Sequence, residues 1–365
     1  MNAKPAEKIS SADCIDLLKN LVSIPSHSGE ERTASIYLVD QFKSLGFDRF
    51  YTDSVNNAVG IRGADSAEKT IVLLGHIDTV PGDIPVRIDD GRLFGRGSVD
   101  AKGPLATFTL AASQVELPDN IRLVVAGAVE EESATSKGAR QIAQDFRADY
   151  CVIGEPSGFT GITLGYKGRI LIDYSVEVGM AHSAGPEPNA PELATEFWQF
   201  VLQTCRDFNV DRPKLFQQLL PSLRSIRSDS DGIRSLAECR MGVRLPPEFE
   251  IETFRQQLRD AAKTGRLQFR GYEPAYQSSR SHSLCRALAT AIRAAAQTPK
   301  YKLKTGTADM NVVAPIWNCP MVAYGPGDSS LDHTPNEHIE LDEFLQAIQI
   351  LKNALNKLAQ EMVRE

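Results

Sequence analysis

Two histidines and a scattered set of carboxylates, each placed where an apolar run ends, are the residues of this chain best suited to chemistry. His76 and Asp78 follow the run 71–75, and Asp100 stands in Gly95-Arg96-Gly97-Ser98-Val99-Asp100-Ala101-Lys102-Gly103. Glu130, Glu131 and Glu132 follow the run 121–129, Glu155 follows 150–154, and His333 lies in Asp332-His333-Thr334-Pro335-Asn336-Glu337. Imidazole nitrogen and carboxylate oxygen both suit zinc, and two such ions can share one carboxylate and activate a water between them. Asp100, flanked by glycines that let the backbone come close, is the candidate bridge. His76 and Glu155 would complete one ion, and Glu132 and His333 the other. Alone, His76-Ile77-Asp78 is better explained as a satisfied core histidine; the four further segments reverse that.

The neighbours of these ligands have separate parts. Asp78, two residues after His76 in extended chain, points to the same side and can accept a hydrogen bond from the imidazole, fixing its tautomer. If Glu132 binds metal, Glu131 can take a proton from water and return it to a leaving nitrogen. His182, in Gly179-Met180-Ala181-His182-Ser183-Ala184-Gly185-Pro186, could donate to the oxyanion of a tetrahedral intermediate, although a surface-loop histidine explains it equally well. His27, His282 and His338 have no comparable setting and are read as structural.

For these segments to meet, the elements must deliver them to one edge. The short continuous apolar runs before His76, Glu130 and Glu155 have the pattern of strands covered on both faces, alternating with helical stretches at 104–115 and 136–146. That alternation indicates an α/β layer with a parallel-rich mixed sheet flanked by helices, in which ligands gather beyond the carboxyl ends of the strands. The run 169–178 alternates as a half-exposed strand. A helix near 191–205, a Ser/Arg/Asp-rich stretch at 222–235, a strand at 236–245 and a helix at 251–264 follow. We read 166–280 as an inserted α+β lid or dimerisation domain, and 1–165 with 281–365 as the metal-binding catalytic domain. The closing helix aligns Leu341, Phe344, Leu345, Ile348, Leu351, Leu355 and Leu358 on one stripe, a core face.

The chain has 365 residues, a net charge of -7 and 42% hydrophobic residues, more than one core usually supports and too acidic for nonspecific nucleic-acid binding. The negative excess lies outside 166–280, whose charges nearly balance. No apolar run approaches membrane-spanning length, and 1–8 lacks the apolar core of a signal peptide. Six scattered cysteines without a CxxC pair fit reduced thiols in a cytoplasm.

These motifs, with Leu21-Val22-Ser23-Ile24-Pro25-Ser26-His27-Ser28-Gly29-Glu30-Glu31 at the start, resemble the acetylornithine deacetylase and succinyl-diaminopimelate desuccinylase family of two-metal peptidases and deacylases. The resemblance runs nearly end to end. It implies His76, Asp100, Glu132, Glu155 and His333 as metal ligands, Glu131 as general acid/base and Asp78 as the aspartate behind His76. It also implies a cis peptide from Asp100 to Ala101, and a His182 that serves the partner's site in a homodimer. Arg244, with Gly306 and Thr307, looks like an anchor for a substrate carboxylate, a surface arginine being the competing explanation. Gly165-Tyr166-Lys167-Gly168-Arg169-Ile170 and Lys304-Thr305-Gly306-Thr307-Ala308-Asp309-Met310-Asn311 resemble the lysine-biosynthesis branch most. Thr305-Gly306 departs from the double glycine of many relatives, which tells against the desuccinylase and carboxypeptidase branches. The resemblance therefore implies an enzyme releasing lysine or ornithine from a small N-acyl amino acid or from an acidic amino-group carrier protein. Two divalent ions would assist, zinc first, with cobalt or manganese as alternatives. A dipeptidase or carboxypeptidase of the same architecture is the rival within the family, and a non-enzymatic binding protein the rival outside it.

Overall fold

The computed structural model describes residues 9–182 and 184–364, so the readings made on 1–8 and on Ser183 lie outside the described residues. Two compact units make up the chain: residues up to Gly165 with Ser278–Leu303 and Ala308 onward form the first, and Tyr166–Gln277 with Lys304–Thr307 the second.

In the first unit the strands Ile121–Ala128, Lys69–His76, Tyr150–Gly154 and Met321–Tyr324 run side by side and parallel. Antiparallel strands flank them, Ala58–Arg62 and Arg49–Thr52 on one side and Gly161–Tyr166 on the other. The four parallel strands are buried almost throughout, as their unbroken apolar runs require. Because they are parallel, their carboxyl ends share an edge, and His76, Glu130–Glu132 and Glu155 emerge there. The register sets Gly75 opposite Gly154. A Cβ on Gly154 would lie 2.9 Å from the Gly75 Cα and 3.0 Å from the Phe108 ring, so glycine is needed for the helix Lys102–Ala112 to lie this close to the sheet.

That helix is buried on every side and starts at Lys102, two residues before the proline that was expected to open it. Pro104 sits in the first turn, where its missing N–H costs nothing. Of the stripe on Leu341–Met362, Leu345 is only partly buried, while Ala347, Ile350 and Ala354 join the core beside Leu351 and Leu355.

The second unit is an antiparallel sheet in the order Leu220–Ser230, Arg234–Leu245, Gly168–Gly179 and Arg266–Glu273. Ile170, Ile172, Tyr174 and Val176 alternate inward and pack, with Phe197 and Val201 of the helix Ala190–Asn209 and Phe254 and Leu258 of Ile251–Ala261, into a core of their own. The Ser/Arg/Asp-rich stretch 222–235, to which the sequence assigned no element, is mostly strand. Leu220–Ser230 lies at the sheet edge with nearly every residue exposed or half-exposed, so it shows no apolar alternation to read. Its hairpin turns through Gly232, at φ +85°, with Asp231 accepting from the N–H groups of Ile233 and Arg234.

Candidate metal centre

Asp100 is the centre of the site. Its Oδ1 lies 3.1 Å from His76 Nε2 and its Oδ2 lies 3.1 Å from His333 Nε2, so each oxygen faces a different imidazole. His333 Nε2 is also 2.9 Å from Glu132 Oε1. Candidate ligand atoms fall into groups lying within 4.8 Å of one another: His76, Asp100 and Glu155 in one, Asp100, Glu132 and His333 in a second, and His76, Glu131 and Glu132 in a third. The first two share only Asp100, the arrangement a bridging carboxylate requires. The Asp100–Ala101 peptide is cis.

Electrostatics show what these residues need. Burial opposes charge on His76, yet hydrogen bonds to Asp100 and Asp78 and the charge of Glu131 raise its pKa well above the usual histidine value. Hydrogen bonds to Asp100 and Glu132 lift His333 to about 10. Burial works to raise the Asp100 carboxyl, but bonds from His333 and His76 overcome it and hold it well below the usual carboxylate range. Glu131 goes the other way: burial, reinforced by Asp309, Glu155 and Glu132, raises it well above its usual value against the pull of His76. Without a metal, protons on the imidazoles and on Glu131 balance the crowded carboxylates; divalent cations would take over that role. The donor set fits two such ions, and its mixture of oxygen and imidazole nitrogen accepts several metals.

Backbone and buried polar groups hold the ligands. His76 Nδ1 is 3.1 Å from the Asp78 carbonyl oxygen and 3.4 Å from its carboxylate, so a proton on Nδ1 leaves the Nε2 lone pair facing Asp100. The Asp78 carboxylate does more than the expected tautomer control. It accepts from the N–H groups of Glu131 and Glu132, each at 3.0 Å, and from Ser28 Oγ at 2.7 Å, tying the glutamate turn to the His76 strand. Glu130 at φ +59° and His333 at φ +61° occupy left-handed conformations that cost non-glycine residues energy and tend to occur at functional turns.

Four supporting residues escaped the sequence reading. Glu31 accepts from Gly29 and Glu130, and Asn57 accepts from Val129 and donates to the Gly138 carbonyl, securing the glutamate turn from two further sides. Glu337 and Arg96 form a buried ion pair beside Asp100. Proximity to a motif was the available signal: Glu31 and Glu337 stand in segments already singled out, but nothing in their spacing says where their carboxylates turn.

The remaining predicted residues belong to the second unit. His182 is exposed, and its Nδ1 accepts from the Ala184 N–H at 3.1 Å. Arg244 is half-buried on Arg234–Leu245, and its guanidinium donates to Thr307 Oγ1, next to Gly306. His282 is not part of the ligand groups: its Nδ1 caps the helix Ser283–Ala294 by accepting from the Cys285 N–H.

Residues 72–357 match the family described as Peptidase family M20/M25/M40. The chain belongs to this family. It is similar to the LysW-lysine hydrolase of Deinococcus radiodurans, with 44% identity over 351 residues that cover 94% of this chain and 96% of the relative. Solved structures share the fold. The aminopeptidase PepT of Bacillus cereus superimposes with a TM-score of 0.78 at 17% identity, covering 96% of this chain and 99% of that one. An M20 family metallo-carboxypeptidase from Sulfolobus solfataricus gives 0.76 at 17% identity, covering 95% and 99%. This M20 chain is thus a metal-dependent hydrolase acting on an amide bond. Its described residues contain no helix long and apolar enough to cross a membrane.

Proposed function

We propose that this M20 hydrolase releases lysine, or ornithine, from an N2-acyl or carrier-linked precursor in amino-acid biosynthesis. The observation that carries the chemistry is Asp100, shared between two ligand groups, with Glu131 grouped beside His76 and Glu132. The relative named for LysW-lysine supports the substrate. His76, Asp100 and Glu155 would hold one ion and Asp100, Glu132 and His333 the other, zinc in the first instance. The ions would supply positive charge for the scissile carbonyl oxygen and a water ready to attack. Glu131 takes the proton of the attacking water and hands it to the leaving α-nitrogen, so the acyl group leaves as a carboxylic acid and lysine as a free amine. Asp78 keeps Glu131 and Glu132 in place through their N–H groups. His182 donates to the developing oxyanion, and Arg244, with Gly306 and Thr307, receives the carboxylate of the amino acid.

Charge on the second unit favours an acidic carrier over a small acyl group. Arg169, Arg227, Arg234, Arg240, Arg244, Arg266 and Arg270 take the strand positions that alternate with the buried core residues. Asp173, Glu177, Asp229 and Glu238 share that face, Glu273 stands opposite Arg169, and Arg234 pairs with Glu177 while Arg240 and Arg270 pair with Asp173. A homodimer belongs to this reading, supported by the bare edge of Leu220–Ser230, where Leu223 and Ile226 are exposed. So does a cytoplasmic location, supported by six free, buried cysteines. The test is turnover of N2-acetyl-lysine, N2-acetyl-ornithine, a carrier-linked lysine and a dipeptide side by side. The carrier-linked substrate should give the highest kcat/KM; a preference for the dipeptide would replace this reading with a peptidase.

A further inference from the structure

Glu337 is completely buried, and both of its carboxylate oxygens and its carbonyl have hydrogen-bond partners. Oε1 accepts from the N–H of Val99 at 3.0 Å and from that of Asp100 at 3.1 Å. Oε2 pairs with Arg96 Nη1 at 2.7 Å, and the Glu337 carbonyl accepts from the Gly95 N–H. Arg96 in turn donates to the carbonyls of Gly82 and of Thr334, the residue after His333. One ion pair therefore ties the backbone that carries Asp100 to the segment that carries His333.

We infer that Glu337, held by Arg96, is a positioning residue that sets the angle of the Asp100 carboxylate between His76 and His333 and so governs the affinity of both ion positions. The inference rests on the metal-centre reading. Asp100 uses one oxygen towards each imidazole, so a rotation of its backbone displaces both oxygens together. A site of this kind needs its groups held to within roughly 0.5 Å. Charge-assisted bonds from a buried carboxylate to two successive N–H groups give that constraint, because they are shorter and stronger than bonds between neutral groups. A carboxylate that merely filled space would not need to grip the N–H of Asp100 itself.

The experiment is zinc(II) binding by competition with a chelator, together with the visible spectrum of the cobalt(II)-loaded protein, for wild type, Glu337→Gln and Glu337→Ala. The amide keeps an acceptor for the two N–H groups but loses its charge towards Arg96; alanine loses both. Both ions should bind about 10- to 100-fold more weakly in Glu337→Ala, with a smaller loss in Glu337→Gln. The cobalt bands should shift in both variants, while the melting temperature of metal-free Glu337→Gln stays near that of wild type. Unchanged affinities and spectra, or a Glu337→Gln chain that does not fold, reduce Glu337 to a structural carboxylate and overturn the inference. If wild type itself binds no divalent ion, the metal-centre reading fails first.

Discussion

Glu131 lies among Asp309, Glu155 and Glu132, and it is the carboxylate whose loss should stop turnover without emptying the site. Glu131→Gln keeps the shape and removes the base. The metal content should stay at wild-type level while kcat falls about 10²- to 10⁴-fold, measured by metal analysis beside steady-state kinetics. A metal-loaded variant with full activity would falsify the role. At His333, the sign of the pH effect follows from its hydrogen bonds to Asp100 and Glu132. With its pKa raised to about 10, the metal-free imidazole is protonated at pH 7 and must give up that proton to bind an ion. Metal uptake should therefore release protons, and affinity should rise with pH between about 6 and 9. Calorimetry at pH 7 in two buffers of different ionisation enthalpy checks this; identical apparent enthalpies would remove the linkage.

At the level of elements, His282 shows how a histidine can serve a helix instead of a metal. Burial, with help from Arg286, lowers its pKa to about 4, so it is neutral in the fold and its Nδ1 lone pair can cap Ser283–Ala294. An unfolded chain binds a proton at this residue near pH 6.5, where the folded chain does not. The stability it contributes is therefore present above that pH and is lost as pH falls towards 4. His282→Asn keeps a capping acceptor and removes the titration, so its melting temperature should fall less steeply than that of wild type between pH 6.5 and 4. Parallel slopes would show that His282 does not titrate in this window. The helical and buried-strand elements were legible because unbroken apolar runs and the 3.6-residue stripe of the closing helix survive in one dimension. The edge strand Leu220–Ser230 was not, since a strand exposed on both faces has no apolar face to betray it.

For the whole molecule, each unit packs hydrophobic residues of its own, which makes stability a property of each unit. Every candidate metal ligand belongs to the first unit. Leu351→Ala there and Val201→Ala in the second unit should each cost about 2–5 kcal/mol by opening a cavity. Chelation should lower the transition that Leu351→Ala lowers and spare the one that Val201→Ala lowers, because a ligand stabilises only what it binds. Scanning calorimetry with and without chelator separates them; a chelator effect confined to the Val201→Ala transition would move the metal out of the first unit.

The sequence by itself determined which residues can do the chemistry, because imidazole and carboxylate are recognisable wherever they stand. It also determined that the three loaded turns after the parallel strands share an edge, since continuous apolar runs separated by helices leave little other arrangement. Only the tertiary structure decided how those residues are held. The Asp78 carboxylate gathers the Glu131 and Glu132 N–H groups, Glu31 and Asn57 brace the same turn, and Glu337 grips the Asp100 backbone from more than two hundred positions along the chain. Such contacts have no periodicity and no fixed spacing. They exist because a buried carboxylate must find donors, and which donors it finds depends on the path of the folded chain.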